Sequence, residues 1–262
     1  MNPFAKWRIY KSIFGDGRVE VVERDGVRSL HLGSATVQSA MRTDAPNELL
    51  LSYTRSMMAF LLFHESPRHI VLLGLGGGSL AKFIYHQMPC AAITAIEVNP
   101  RVAELARSHF LLPDDDKRLR VVLADGASWV AQHCASADVI MVDAYDGDAH
   151  VERLCSEDFY LDCVRALEAD GVLVANVWAN DRRFARILAR IATAFPAGNA
   201  CLPAKKPGNV IVIGFQSSPG ELRWRDLKLR ARLLEQRYGL EFVDFVDALR
   251  KMNPHDHKCL RL

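Results

Sequence analysis

Three acids, each set where a short apolar run ends, are the residues of this chain best suited to chemistry. Glu97 closes Ile93-Thr94-Ala95-Ile96, Asp125-Gly126 follows the run that ends at Ala124, and Asp143 closes Val139-Ile140-Met141-Val142. A carboxylate at a strand end can accept the paired hydroxyls of a ribose or take a proton from a nucleophile. Upstream, Val71-Leu72-Leu73 runs straight into Gly74-Leu75-Gly76-Gly77-Gly78-Ser79, and Glu97 stands twenty-one positions past Gly76. Glycines at such a turn let the backbone approach a ligand, and the helix that follows offers unpaired N–H groups. Gly74, Gly76, Gly78 and Glu97 therefore read as a nucleotide site. The bland alternative is a tight turn packed on an ordinary core. Asp125 has its own alternative, a cap on the next helix. Asp143 is followed by Ala144-Tyr145-Asp146-Gly147-Asp148, which reads as a loop rather than a helix. With Glu152 this loop is rich in carboxylates, and it suits a cationic amine whose charge would offset their repulsion. The alternative there is a solvated acidic loop.

Alternating elements must hold these residues in place. Strands are expected over 70–73, 93–97, 119–124, 138–142 and 172–178, with helices over 79–87, 100–110, 127–133, 157–167 and 181–195 between and after them. Such alternation argues for a parallel sheet with right-handed crossovers. Two late strands, 200–202 and 210–215, are joined by Pro203-Ala204-Lys205-Lys206-Pro207-Gly208, which permits an antiparallel hairpin at the sheet edge. Five parallel strands plus a terminal hairpin is the plan of S-adenosylmethionine-dependent transferases more than of nicotinamide dehydrogenases. The fold class is thus α/β, a doubly wound Rossmann-like sheet of the class I S-adenosylmethionine-dependent methyltransferase type, led by a short N-terminal β-hairpin segment. Arg24-Asp25-Gly26-Val27 between two apolar stretches marks that hairpin. A helix is expected over 46–64 with Pro46 in its first turn, and an amphipathic helix over 221–238. Two domains follow: 1–45 as the β segment and 46–262 as the nucleotide-binding catalytic domain.

Composition excludes several functions. The chain has 262 residues, 50% hydrophobic and 24% charged, with a net charge of +2. That charge is too small to argue for nucleic acid or an anionic membrane, and no apolar run approaches a membrane span. The opening Met1-Asn2-Pro3-Phe4-Ala5-Lys6-Trp7 lacks a signal peptide's apolar core, which predicts a cytoplasmic protein. Six cysteines without a C-x-x-C pair read as reduced thiols, mostly buried. His255-Asp256-His257 with Cys259 has no second cluster of ligands, so a solvated tail and no metal are expected. The basic helix with Arg223, Arg225, Lys228, Arg230 and Arg232 reads as a surface helix packing an apolar stripe.

The span 18–215 resembles the spermidine synthase (polyamine aminopropyltransferase) family. The likeness runs through the N-terminal hairpin, Gln38, Tyr53, Gly74-Leu75-Gly76-Gly77-Gly78, Glu97, Asp125-Gly126 and Asp143-Ala144-Tyr145-Asp146. Leu154-Cys155-Ser156-Glu157-Asp158-Phe159-Tyr160 resembles the family's Leu-Phe-Ser-x-x-Phe-Tyr run. The resemblance implies decarboxylated S-adenosylmethionine as donor and a small-molecule amine as acceptor. It implies Glu97 on the ribose, Asp125-Gly126 near adenine and Gln38 closing over the donor. Asp143 would take the amine's proton, with Tyr53 and Asp146 holding the acceptor, and a homodimer would pair through the N-terminal strands. The chain departs from the family in three places: Gly77 stands for the glycine-loop aspartate, Arg55 for an acid, and Gly147 for a proline.

Three functions stay open on these residues. One is aminopropyl transfer to an altered acceptor, one is methyl transfer from full S-adenosylmethionine, and one is nucleotide binding without turnover. Arg55 and Gly77 favour the last two, since Arg55 could pair with the methionine carboxylate that the decarboxylated donor lacks, whereas the Asp143/Asp146 loop and the run 154–160 favour the first.

Overall fold

A computed structural model describes residues 8–14, 17–34, 36–146, 149–150 and 152–262, with side chains at 19–34, 36–144 and 152–262. Its first unit is an antiparallel meander in which β1 (Arg8–Phe14), β2 (Gly17–Arg24), β3 (Val27–Leu32) and β4 (Ser39–Arg42) pair in chain order. The expected hairpin is the β2–β3 pair. Asp25 and Gly26 both take positive φ, 51° and 77°, the backbone of a type I′ turn whose twist matches its strands. Two further strands widen the hairpin into a sheet, whose Val19, Val21, Leu30 and Met41 pack against Val102, Leu105 and Phe110 of a later helix.

The expected helix over 46–64 is shorter. It begins as α1 (Ser52–Met57) and tightens into a 3₁₀ stretch, Met58–Leu62, that is buried throughout. Pro46 lies in a turn instead. The periodicity was set by burial of 57–62 on all sides rather than by one helical face.

The main sheet then follows: β5 (His69–Leu73), α2 (Ser79–Gln87), β6 (Ala92–Glu97), α3 (Pro100–Phe110), β7 (Leu119–Leu123), α4 (Gly126–Ala131) and β8 (Ala137–Val142). Two short strands, β9 (Tyr145–Asp146) and β10 (Ala149–His150), pair antiparallel, so part of the expected acidic loop is a small hairpin. After a 3₁₀ turn at Glu152–Cys155 come α5 (Glu157–Ala166), β11 (Leu167–Trp178), α6 (Phe184–Ala194), β12 (Asn199–Pro203) and β13 (Asn209–Phe215). The strand order is β12-β13-β11-β8-β5-β6-β7. β11, β8, β5, β6 and β7 run parallel, and β13 is antiparallel to both its neighbours. The chain reverses its winding between β5 and β8, so a crevice opens at their carboxyl ends. Gly74 and Asp143 stand there side by side.

The C-terminal region corrects one expectation. β14 (Leu222–Arg223), α7 (Trp224–Tyr238), α8 (Phe242–Leu249) and β15 (Cys259–Leu260) complete the chain. α7 buries Trp224, Leu227, Ala231, Leu234 and Tyr238, as a surface helix should. The residues after 252 are not a solvated tail. β15 pairs with β14, Trp224 Nε1 donates to the Asp256 carbonyl at 3.0 Å, and Cys259 and Leu260 are buried. Buried Asn253 staples the region to β12 by bonding both backbone groups of Cys201 at 2.7 Å. A polar composition concealed this, because the polar groups satisfy backbone partners rather than water. No group of His, Cys, Asp and Glu among the described residues could hold a metal. Cys155, Cys163, Cys201 and Cys259 are buried and Cys90 and Cys134 exposed, all unpaired. No helix among the described residues is long and apolar enough to cross a membrane.

One lysine sits where no sequence pattern places it. Lys82, on α2, is fully buried. Its Nζ donates to the Phe110 carbonyl at 2.6 Å and lies 3.0 Å from Met41 Sδ. It thus ties α2 to the C-terminus of α3, whose dipole favours a cation. Burial, with the Arg28 charge in second place, lowers its pKa to about 8. A lysine depressed in the folded state stabilises the fold fully only above its unfolded pKa. That share falls as pH drops from about 10.5 to about 8 and stays lost below. Lys82→Met should therefore raise stability near pH 7 by about 1–2 kcal/mol, the ionisation gain less one lost hydrogen bond. In denaturant titrations its advantage should shrink between pH 8 and 10.5; a flat difference across that range would refute the ionisation argument.

Candidate active site

Two glycine positions show why the turn after β5 has this sequence. Gly74 has φ +95°, and a Cβ there would lie 2.3 Å from the Asp143 carbonyl oxygen. Any side chain would push β5 and β8 apart at the crevice. Gly77 is closed for another reason: a Cβ would meet Ser39 Oγ and Phe110 Cδ1, both at 2.8 Å. The side chain that the family carries at this point has no room here. Ser39 instead reaches Ser79 Oγ at 3.2 Å, which joins β4 to the start of α2. Gly78, with φ +71°, caps α2 and does not line the crevice, whereas Gly74, Leu75 and Gly76 do.

Glu97 is nearly buried, and both its oxygens accept backbone bonds. Oε2 takes the Leu75 N–H at 3.0 Å and Oε1 takes the Asn99 N–H at 2.9 Å. Burial raises its pKa, opposed by the backbone N–H groups of Asn99, Leu75, Gly76 and Val98. Glu97 also lines the crevice, and a carboxylate oxygen can accept more than one hydrogen bond, which is what ribose hydroxyls would require. Asp125 does cap a helix, accepting the Ser128 N–H at 2.8 Å, and its carboxylate also pairs with Arg153 at 3.0 Å. Burial pushes its pKa up, but the Ser128 bonds and the Arg153 charge outweigh that and hold it low. Capping does not remove Asp125 from the crevice, which Asp125 and Gly126 both line.

Asp143 stands at the back. Burial lifts its pKa to about 6, against hydrogen bonds from Asn176 and Tyr53. Asn176 Nδ2 donates to Asp143 Oδ1 at 2.9 Å. The Tyr53 hydroxyl donates to the Gln38 carbonyl at 3.1 Å and also reaches Asp143; with one proton it serves one at a time. Gln38 and Tyr53 form a partition, because both line the crevice chamber and a second chamber. The second chamber is walled by Asn176, Trp178, Asn180, Lys206 and Asn209, among others. The Trp178 indole N–H there is buried without a partner.

The structure thus brings together Gln38, Tyr53, Gly74, Gly76, Glu97, Asp125, Gly126 and Asp143. The backbone of Asp146 lies in β9, and its side chain is outside the described residues. Arg55 goes elsewhere: its Nε donates to Glu241 Oε2 at 2.8 Å, and it does not line the chamber. The pairing of Arg55 with a methionine carboxylate is therefore overturned, because Glu241 from the start of α8 already neutralises it. Asn176 falls inside the expected strand 172–178 and Asn209 just before the expected strand 210–215, and neither is among the expected site residues. Asn176 interrupts the apolar run 172–178 and Asn209 opens the otherwise apolar β13, and a lone polar residue in such a run is the signal for both.

Residues 50–214 match the family model described as the spermine/spermidine synthase domain. Over 253 residues the chain is 44% identical to a polyamine aminopropyltransferase of Chromobacterium violaceum, covering 97% of each sequence. It is 42% identical to a polyamine aminopropyltransferase of Neisseria meningitidis serogroup B over 262 residues, covering 100% of this chain and 99% of that one. Among solved structures, a spermidine synthase in complex with the transition state analogue AdoDATO superposes with a TM-score of 0.73. That alignment has 20% identity and covers 92% of this chain and 85% of the other.

Proposed function

The chain belongs to the spermine/spermidine synthase family, and we propose that it transfers an aminopropyl group from decarboxylated S-adenosylmethionine to a small amine. One observation carries the choice of donor. Among the described residues, the nucleotide chamber is lined by three acids, Glu97, Asp125 and Asp143, and by no lysine or arginine. Full S-adenosylmethionine would bring a carboxylate into this lining with no cation to meet it, whereas the decarboxylated donor brings only positive charge. With Arg55 held by Glu241, the charge argument for methyl transfer falls away.

In the proposed reaction Glu97 holds the ribose and Asp125-Gly126 border the adenine. The acceptor enters through the second chamber past Gln38 and Tyr53, with Asp146 helping to hold it. Its ammonium gives a proton to Asp143, and the freed nitrogen lone pair forms a bond to the aminopropyl carbon attached to sulfur. The carbon–sulfur bond breaks with its electron pair going to sulfur, leaving neutral methylthioadenosine. Holding nitrogen, carbon and sulfur in line supplies the rest of the rate. No metal is invoked.

The proposal extends to a cytoplasmic homodimer that pairs through the N-terminal sheet, where β1 is an edge strand; molar mass in solution tests it. It also extends to the division into a β segment, 1–45, and a catalytic domain, 46–262.

Donor discrimination is the decisive experiment. By calorimetry, the decarboxylated donor should bind at least about tenfold tighter than S-adenosylmethionine, roughly 1.4 kcal/mol. Methylthioadenosine should form only with the decarboxylated donor and an amine. Equal affinities, or methyl transfer from the full donor, would overturn the reading.

A further inference from the structure

Asn176 is buried on β11 with its carboxamide held between two partners. Its Nδ2 donates to Asp143 Oδ1 at 2.9 Å, and its Oδ1 accepts from Asn209 Nδ2 at 2.9 Å. β11 and β13 run antiparallel with Trp178 opposite Asn209 and Asn176 opposite Ile211. The two asparagines are thus diagonal neighbours on one face of the sheet, within side-chain reach.

A carboxamide is nearly symmetric in shape and opposite in character at its two ends. Turned over, Asn176 would set its carbonyl against Asp143. Two acceptors would then face each other unless Asp143 kept a proton of its own. A carboxyl group that keeps its proton cannot take one from an amine. Asp143 alone does not settle the matter, since its protonated form would donate its O–H to the carbonyl of the reversed amide. Asn209 makes reversal costlier, because with its N–H set against the Asn176 carbonyl Asn176 can turn over without opposing two donors only if Asn209 turns over with it.

We propose that Asn209 is a positioning residue, acting across two side chains, that fixes the polarity of Asn176 so that an N–H, not a carbonyl, faces Asp143. The proposal rests on Asp143 being the base of the reaction above. Loss of Asn209 frees Asn176 to reverse, which favours the protonated form of Asp143. Its signature is a displaced pH profile rather than a uniform loss of rate.

Among the described residues, the titratable groups around Asp143 are Tyr53 from α1, Glu97 at the end of β6, Asp125 after β7, and Lys206 from the β12–β13 link. A neutral substitution at 209 changes none of them. The test is kcat/KM against pH for wild type, Asn209→Leu, which removes the donor, and Asn209→Gln, which keeps one. The acidic midpoint should rise by roughly half a unit to one unit in the Leu variant and stay near wild type in the Gln variant. Affinity for methylthioadenosine should be unchanged in both. A midpoint unmoved in the Leu variant, or moved equally in both, would overturn the proposal. Should the Leu variant fail to fold, Asn209→Ala carries the same expectation. If Asp143→Asn left turnover intact, the parent reading would fail instead, and the two failures are distinguishable.

Discussion

Asp143→Asn should reduce turnover by about 10²–10⁴-fold while leaving nucleoside affinity nearly intact. The substitution keeps size and one acceptor oxygen, so packing around β8 survives. It removes the base and the negative charge together. An ammonium has no lone pair with which to attack carbon, and Asp143 is the acid that stands between the nucleotide chamber and Asn176 at the second chamber. Glu97 is occupied by two backbone N–H groups and Asp125 by a helix cap and Arg153. Neither is free to replace it.

The wild-type rate should show an acid limb near pH 6, where burial holds the Asp143 carboxyl. Only the ionised form accepts a proton, so the rate rises as pH climbs through that value. Stability runs the other way: a carboxyl raised in the folded state favours the fold most below its unfolded pKa, and that contribution fades as pH rises through about 6. The residual activity of Asp143→Asn should lack the limb. Single-turnover rates and methylthioadenosine affinity, measured on the same variant, separate the outcomes. Untouched turnover would remove Asp143 from catalysis, and abolished nucleoside binding would make it a donor-site residue.

The parallel half of the fold was open to reading because its signals are local. Strand β5, the glycine turn and α2 are contiguous in sequence, and α2 and α3 span the expected 79–87 and 100–110. The acids Glu97, Asp125 and Asp143 fall at strand ends that apolar runs alone locate. What escaped depends on contacts between distant segments. α1 is short because 57–62 are buried on every side, which no period reveals. The C-terminal residues pack because Asn253 finds Cys201 fifty-two positions away. Arg55 reads as a cation for a ligand until Glu241, from the far end of the chain, is seen to hold it. The Asn209–Asn176–Asp143 chain joins three strands whose pairing, and not whose sequence, makes them neighbours.

Glu97→Ala should weaken methylthioadenosine binding by about 100-fold or more, roughly 3 kcal/mol, because two losses combine. The ribose hydroxyls lose their acceptor. The Leu75 and Asn99 N–H groups lose theirs too, so the turn that should border the ligand loosens before the ligand arrives. Glu97→Gln should do little better. Both Glu97 oxygens accept a backbone N–H, so whichever way a glutamine amide turns, its NH₂ faces another donor. The ribose assignment can be isolated from the turn by a double comparison. A methylthioadenosine analogue lacking the 2′ and 3′ hydroxyls should bind wild type much more weakly than the parent compound, while Glu97→Ala should bind the two alike. If wild type and Glu97→Ala lose the same factor on removal of the hydroxyls, the carboxylate holds the turn and not the ribose. The hydroxyls would then have to be met by some other group in the chamber.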